Sequence, residues 1–278
     1  MKAFIVIVLP LLTIVQSVPL KHHRVETNPE LTAGYFEGDI VLDEERLVFI
    51  DLARRWPNNT VYYKISEVFG KLEVSMSFDL FISYLLFFLP YRFPDTEHYL
   101  EILNAMLSIE LVSCISFQNV TDTNVPYYVN ITGNPGGCYS SIGWRNRAQQ
   151  LNLEISPLDD GCFRRGTILH ELLHALGFFH THSDPNRDNY VHIVKENIIP
   201  GLEYNFHKFG EDFVHNFGLE YDYFSIMHYN LYAFSKNGKK TIVPLKNNPA
   251  FSFIGQRYFL SAGDIRQLSA LYPCLNYD

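Results

Sequence analysis

Cysteine is scarce in this sequence, with 4 residues in 278, so the chain is not a mini-protein held together by dense disulfides. Basic charge is also short. The 22 Lys and Arg face 30 Asp and Glu for a formal net charge of −8, and without a basic surplus to neutralise phosphates, nucleic acid is excluded as the main partner. No apolar run reaches the ~20 residues that a membrane-spanning helix needs, which argues against stable membrane insertion. Internal repeats, coiled-coil heptads and low-complexity tracts are missing, and with them the solenoid and fibrous classes. What is present is a globular composition, 47% hydrophobic and 19% charged, in a chain long enough to bury a sizeable core.

Residues 1–17 read as a secretory signal: Lys2, an apolar run from Ala3 to Val15, and the small Ser17. Sequons at Asn58, Asn119 and Asn130 agree with an extracellular, glycosylated surface. The even set of Cys114, Cys138, Cys162 and Cys274 then reads as two disulfides, with three pairings open by spacing alone. Residues 18–46 are polar, acidic and without apolar period, as in a linker or a removable pro-segment. They end in Asp43-Glu44-Glu45-Arg46, a site for a trypsin-like activating protease. Beyond them the pattern becomes globular. Trp56-Pro57-Asn58 predicts a turn, Val61 to Ile65 a strand, and 95–113 a helix burying Leu100, Leu103, Met106 and Leu107. Tyr127 to Ile131 predicts a further strand, closed by a Gly-Asn-Pro-Gly-Gly turn.

The chemistry concentrates in His170-Glu171-Leu172-Leu173-His174-Ala175-Leu176-Gly177-Phe178-Phe179-His180. Histidines at i and i+4 lie one turn apart on a single helix face, so both imidazoles reach one zinc ion. Glu171 is rotated off that face by one residue, placing it beside a metal-bound water without making it a ligand. Gly177 takes the positive φ that stops the helix, and the turn returns His180 as the third ligand. Three neutral histidines leave one zinc position open, where a water has its pKa lowered from ~15.7 towards ~7. His22, His23, His98, His192, His207 and His215 stand alone and predict surface or satisfied interior groups, and His182 is a near neighbour of the site.

With Ser225-Ile226-Met227-His228-Tyr229 downstream, the sequence resembles the metzincin zinc endopeptidases, and among them the astacin family. The resemblance implies an α+β, two-lobed protease domain. Its N-terminal lobe would carry a twisted mixed sheet and the zinc-binding helix. Its C-terminal lobe would be largely irregular with a Met-turn and a late helix, and the cleft would lie between the two. It implies Met227 as an apolar floor under the ligands and Tyr229 as the phenol that stabilises the transition state. Phe36-Glu37-Gly38-Asp39 resembles the family's pro-segment motif, whose Asp, here Asp39, fills the open zinc position in the zymogen. The family's mature start, nine residues before the Trp of Trp-Pro-Asn, falls at Leu47, directly after Arg46. Cysteine order in the family implies Cys114–Cys274 and Cys138–Cys162, and Leu271-Tyr272-Pro273-Cys274 matches the domain end. The implied organisation is a signal over 1–17, a pro-segment over 18–46 and a monomeric catalytic domain over 47–278, acting on proteins or peptides.

Two features depart from the family pattern. Thr181, Asp184 and Asn186 stand where the family usually has Glu, Arg and Asp, which puts the anchoring of a buried new N-terminus in question while leaving the ligands and the base intact. Residues 70–94 have no counterpart and carry an apolar run from Leu80 to Leu89, too short for a bilayer and too apolar for a surface loop. Excising them joins Phe69 to Asp95 seamlessly, as a retained intron would. The alternative to an enzyme is a catalytically silent zinc-containing binding protein, against which the intact Glu171 and Tyr229 weigh.

Overall fold

The computed structural model describes residues 28–42, 54–70, 96–120, 125–210, 217–245 and 249–274. The expected signal over 1–17, the cleavage point at Arg46 and Leu47, and the 70–94 insertion, Gly70 apart, lie outside these residues. A short helix α1 (Pro29–Thr32) and a two-residue strand β1 (Ile40–Val41) come first, then β2 (Thr60–Ile65) and α2 (Glu97–Glu110). Next come β3 (Ser116–Asn119), β4 (Val129–Thr132), β5 (Cys138–Ser141), β6 (Gln149–Leu153) and α3 (Arg165–Ala175). The chain continues with β7 (Val191–Ile193), β8 (Ile242–Pro244) and α4 (Ala262–Leu271).

Strands β1 to β6 form one sheet in the order β1-β5-β6-β4-β2-β3, parallel except for the antiparallel β5–β6 pair. Alternation sets its faces. Val61 and Tyr63 of β2 and Val129 and Ile131 of β4 turn into the core, while Lys64 faces outward. Buried Asn152 of β6 is a polar exception with all its bonds made. It donates to the Asn134 and Gly137 carbonyls, both at 2.8 Å, and accepts from Thr132 and the Asn134 amide, which fixes the turn before β5.

Helix α2 is rotated from the expected face. Ile102, Ala105, Met106 and Ile109 are buried, Leu103 packs at the core's edge, and Leu107 is 40% exposed. The helix carries apolar side chains around most of its circumference, so periodicity leaves its face undecided. Packing against α3 and the sheet settles it. Disulfides link Cys114 to Cys274 and Cys138 to Cys162, so no cysteine is free.

A second, smaller core gathers Val191, Ile198, Phe206, Tyr229, Ala233, Phe234 and Ile242 around the β7–β8 pair. Residues 225–229 join the two: Met227 belongs to the first core and Tyr229 to the second. This turn is pinned by α4, whose capping box pairs Ser261 with Asp264. The Asp264 carboxylate also accepts from Ser225 Oγ at 2.7 Å and the Ile226 amide at 3.0 Å. Asp264→Ala orphans these buried donors and is expected to cost about 3 kcal/mol. A denaturant midpoint shifted to match is the check, and an unchanged midpoint would contradict it.

Candidate active site

Helix α3 is buried along almost its whole length, and glycine makes its entry possible. A Cβ on Gly166 would fall 2.0 Å from the Arg257 backbone. The helix ends in a Schellman motif. Gly177, at φ +105°, donates to the His174 carbonyl at 2.8 Å, and Phe178 donates to Leu173 at 3.0 Å. The orphan carbonyls of the last turn are taken by Trp56 Nε1 on Ala175 and Tyr272 Oη on Leu176, each at 2.8 Å. The chain then doubles back and delivers His180 to the face that carries His170 and His174.

The three imidazoles converge on Asp39. Nε2 of His170 lies 3.2 Å from both His174 Nε2 and His180 Nε2, and the Asp39 oxygens lie 3.2, 3.5 and 3.4 Å from the three rings. All four residues are buried, and these four ligand atoms lie within 4.8 Å of one another. The opposite ring nitrogens are each committed. His170 Nδ1 donates to the Ile226 carbonyl at 2.9 Å, His174 Nδ1 to Phe178 at 2.7 Å, and His180 Nδ1 to Glu37 Oε2 at 2.8 Å. Each Nε2 of a neutral ring therefore presents a lone pair, and lone pairs facing one another at 3.2 Å repel unless a cation lies between them. Four ligands at 2.0–2.1 Å in a tetrahedron stand about 3.3 Å apart, so the donor set and its spacing fit zinc. Asp39 Oδ1, buried with no hydrogen-bond partner, fits the same conclusion.

Glu171 is fully buried and neither carboxylate oxygen has a hydrogen-bond partner. Burial, then the Asp39 and Glu30 charges, push its carboxyl well above the ordinary carboxylate range. Tyr229 is buried between the rings of His180, at 4.6 Å, and His182, stacked at 3.8 Å, and its hydroxyl donates to the Glu37 carbonyl. Met227 is buried in the core that includes Leu172 and Leu173, and its carbonyl accepts from the Thr181 amide at 3.0 Å.

Residues 28–42 run between the two lobes. β1 adds to β5 as a parallel edge strand, and Arg145 donates to the Val41 carbonyl at 2.6 Å. Glu30 meets Arg257 in a buried ion pair, Nη2 to Oε2 at 2.7 Å and Nε to Oε1 at 2.9 Å, and also accepts from Thr167 of α3. Burial alone would raise the Glu30 pKa, but Arg257 and His170 together outweigh it and hold the carboxyl at about 2.

Pattern reading missed Glu30, Arg257, His182 and the part played by Glu37. Glu37 stood inside the motif around Asp39, which was a signal. His182 was marked only by its closeness to His180, and Glu30 and Arg257 had no signal, being 227 residues apart. Of the lone histidines among the described residues, none joins the cluster; His98 bonds the Ser156 carbonyl instead.

The family model for Astacin, a peptidase family, matches residues 87–273. The chain is 40% identical to Seminal metalloprotease 1 of Drosophila melanogaster over 89% of its own length and 90% of that protein's. It is 34% identical to Zinc metalloproteinase nas-4 of Caenorhabditis elegans, over 90% and 72%. Among solved structures it is similar to High choriolytic enzyme 1, a hatching enzyme zinc-protease from the medaka Oryzias latipes. That comparison gives a TM-score of 0.59 and 32% identity, covering 80% of this chain and 94% of that one.

Proposed function

Because the chain belongs to the astacin family of zinc metalloendopeptidases, we propose that it is made as a secreted zymogen that a trypsin-like protease activates after Arg46. The observation that carries this reading is the position of Asp39 among three histidines whose outer nitrogens are already bonded. A carboxylate there closes the ligand set, and its departure opens one position. The remaining assignments are a signal over 1–17, a pro-segment over 18–46 and a monomeric catalytic domain over 47–278. The two disulfides suit an oxidising compartment, and among the described residues no helix is long and apolar enough to cross a membrane.

His170, His174 and His180 would hold the metal, with Asp39 as a fourth ligand until it leaves. Zinc, when bound, supplies a Lewis acid that polarises the scissile carbonyl and lowers the pKa of water. Glu171 takes the proton from the attacking water and passes it to the leaving amine, which breaks the C–N bond. Tyr229, released from the Glu37 carbonyl, donates to the substrate oxygen as that atom gains charge. Substrates are internal peptide bonds of proteins or peptides. Tyr229→Phe is expected to lower kcat by about 10²-fold with KM little changed, because that bond forms mainly in the transition state. Steady-state kinetics on a peptide substrate checks this, and an unchanged kcat would remove Tyr229 from the reaction. The reading as a whole is tested by incubating the trypsin-treated chain with a denatured protein and mapping products by mass spectrometry. Internal cuts that vanish with a zinc chelator support it. Products trimmed only from the ends, or cuts insensitive to chelator, would overturn it.

A further inference from the structure

The three proposed ligands are not held alike, and the difference lies on the side of the rings away from the metal. His170 and His174 donate from Nδ1 to backbone carbonyls, Ile226 and Phe178, that stay with the catalytic domain whatever happens upstream. His180 donates instead to the carboxylate of Glu37, at 2.8 Å, in the segment that also carries Asp39. The second Glu37 oxygen accepts from Ser183 Oγ, so both oxygens are engaged and the side chain is fixed. Glu37 is fully buried. Its backbone sits at φ +48°, a left-handed conformation that costs a non-glycine residue roughly 1 kcal/mol. Gly38, at φ +89°, completes the turn, and a Cβ there would fall 2.8 Å from the Glu30 carbonyl. The bend between these two residues sends Glu37 to the outer side of His180 and Asp39 to its inner side.

We propose that Glu37 is a positioning residue of the metal centre: its carboxylate fixes the ring and tautomer of His180, so the pro-segment supplies an outer partner as well as an inner ligand. This rests on the reading of His170, His174 and His180 as zinc ligands. A carboxylate bonded to the far nitrogen of a ligating imidazole raises its basicity and holds its orientation, and losing such a partner typically costs about 10–100-fold in metal affinity. Excision of the pro-segment then removes Asp39 and Glu37 in one event. His180 is left the least restrained of the three ligands, and the Tyr229 hydroxyl loses the Glu37 carbonyl in the same step. Metal retention is thereby tied to latency: the intact chain holds zinc more firmly than the cleaved one by more than the inner ligand alone accounts for.

The test uses the intact, uncleaved chain carrying one zinc, with release followed as colour in an excess of chromogenic chelator. Glu37→Ala is expected to release zinc about 10–100-fold faster, and Glu37→Gln, which keeps an acceptor but loses the charge, by an intermediate factor. In cobalt-substituted protein both should retain the visible absorptivity of the parent, since the inner ligands are unchanged. Release within about twofold of the parent in both variants would overturn the proposal. So would a cobalt spectrum matching that of Asp39→Asn, because the effect would then run through Asp39. An intact parent chain that takes up no zinc would instead sink the ligand assignment on which the proposal stands, an outcome distinct from the other two.

Discussion

Glu171→Gln is expected to lower turnover of the cleaved enzyme by at least about 10³-fold while leaving its zinc content unchanged. Gln has the same shape but cannot accept and hand on a proton. Glu171 is offset by one residue from the proposed ligand His170 and is not part of the Asp39, His170, His174 and His180 group, so the exchange leaves the donor set intact. Its two oxygens are buried and unbonded, which leaves them available to an attacking water once the cleft opens. Kinetics on a quenched peptide, paired with elemental analysis of the same sample, checks both halves. Retained turnover would remove Glu171 as the base. Lost zinc would show that it has a structural duty instead.

The second large effect is latency. The uncleaved chain is expected to turn over peptide at least about 10³-fold more slowly than the chain cut after Arg46. Asp39 would fill the fourth position on a bound zinc, the Glu37 carbonyl occupies the Tyr229 hydroxyl, and the Glu30–Arg257 pair anchors the segment at its far end. Breaking a buried ion pair by removing one partner costs about 3–5 kcal/mol, and each 1.4 kcal/mol is tenfold, so that anchor alone supplies roughly 10² to 4 × 10³. Glu30→Ala should therefore raise the activity of the uncleaved chain by about 10²-fold. It should leave the cleaved enzyme unaltered, since residue 30 is gone from it. The sign of the pH effect follows from the depressed Glu30 carboxyl, about 2 against an ordinary 4.5. Its contribution is complete above 4.5 and is lost as pH falls through about 2, so this anchor holds from neutral pH to about 4.5. An uncleaved chain as active as the cleaved one would contradict the zymogen reading.

The candidate metal centre was legible in sequence because its parts are local. His170, His174 and His180 fall within eleven residues, and helix periodicity plus one glycine is enough to turn them to one point. The strand over 60–65 and the helix over 97–110 were legible for the same reason, although the buried face of that helix was not. With Leu100, Ile102, Leu103, Met106, Leu107 and Ile109 in one helix, apolar pattern covers too wide an arc to choose a side. What could not be read was contact at long range. Glu30 reaches Arg257 across 227 residues, and an isolated acidic residue carries no mark of its partner. His182 read only as a near neighbour of the site, and it stacks on Tyr229 because the chain after His180 curls into a 3₁₀ turn. Cysteine spacing alone left three pairings; the family resemblance implied Cys114–Cys274 and Cys138–Cys162, and the fold has both.

Zinc dependence can be read on the cleaved chain itself. The trypsin-cleaved chain is stripped of metal and titrated with zinc while hydrolysis of an internally quenched peptide is followed. Activity that starts from nothing, rises linearly and levels at one zinc per chain is the predicted result. Activity that persists in the metal-free protein, or none at any zinc level while one zinc is bound, would contradict it, the latter leaving a silent zinc-binding protein.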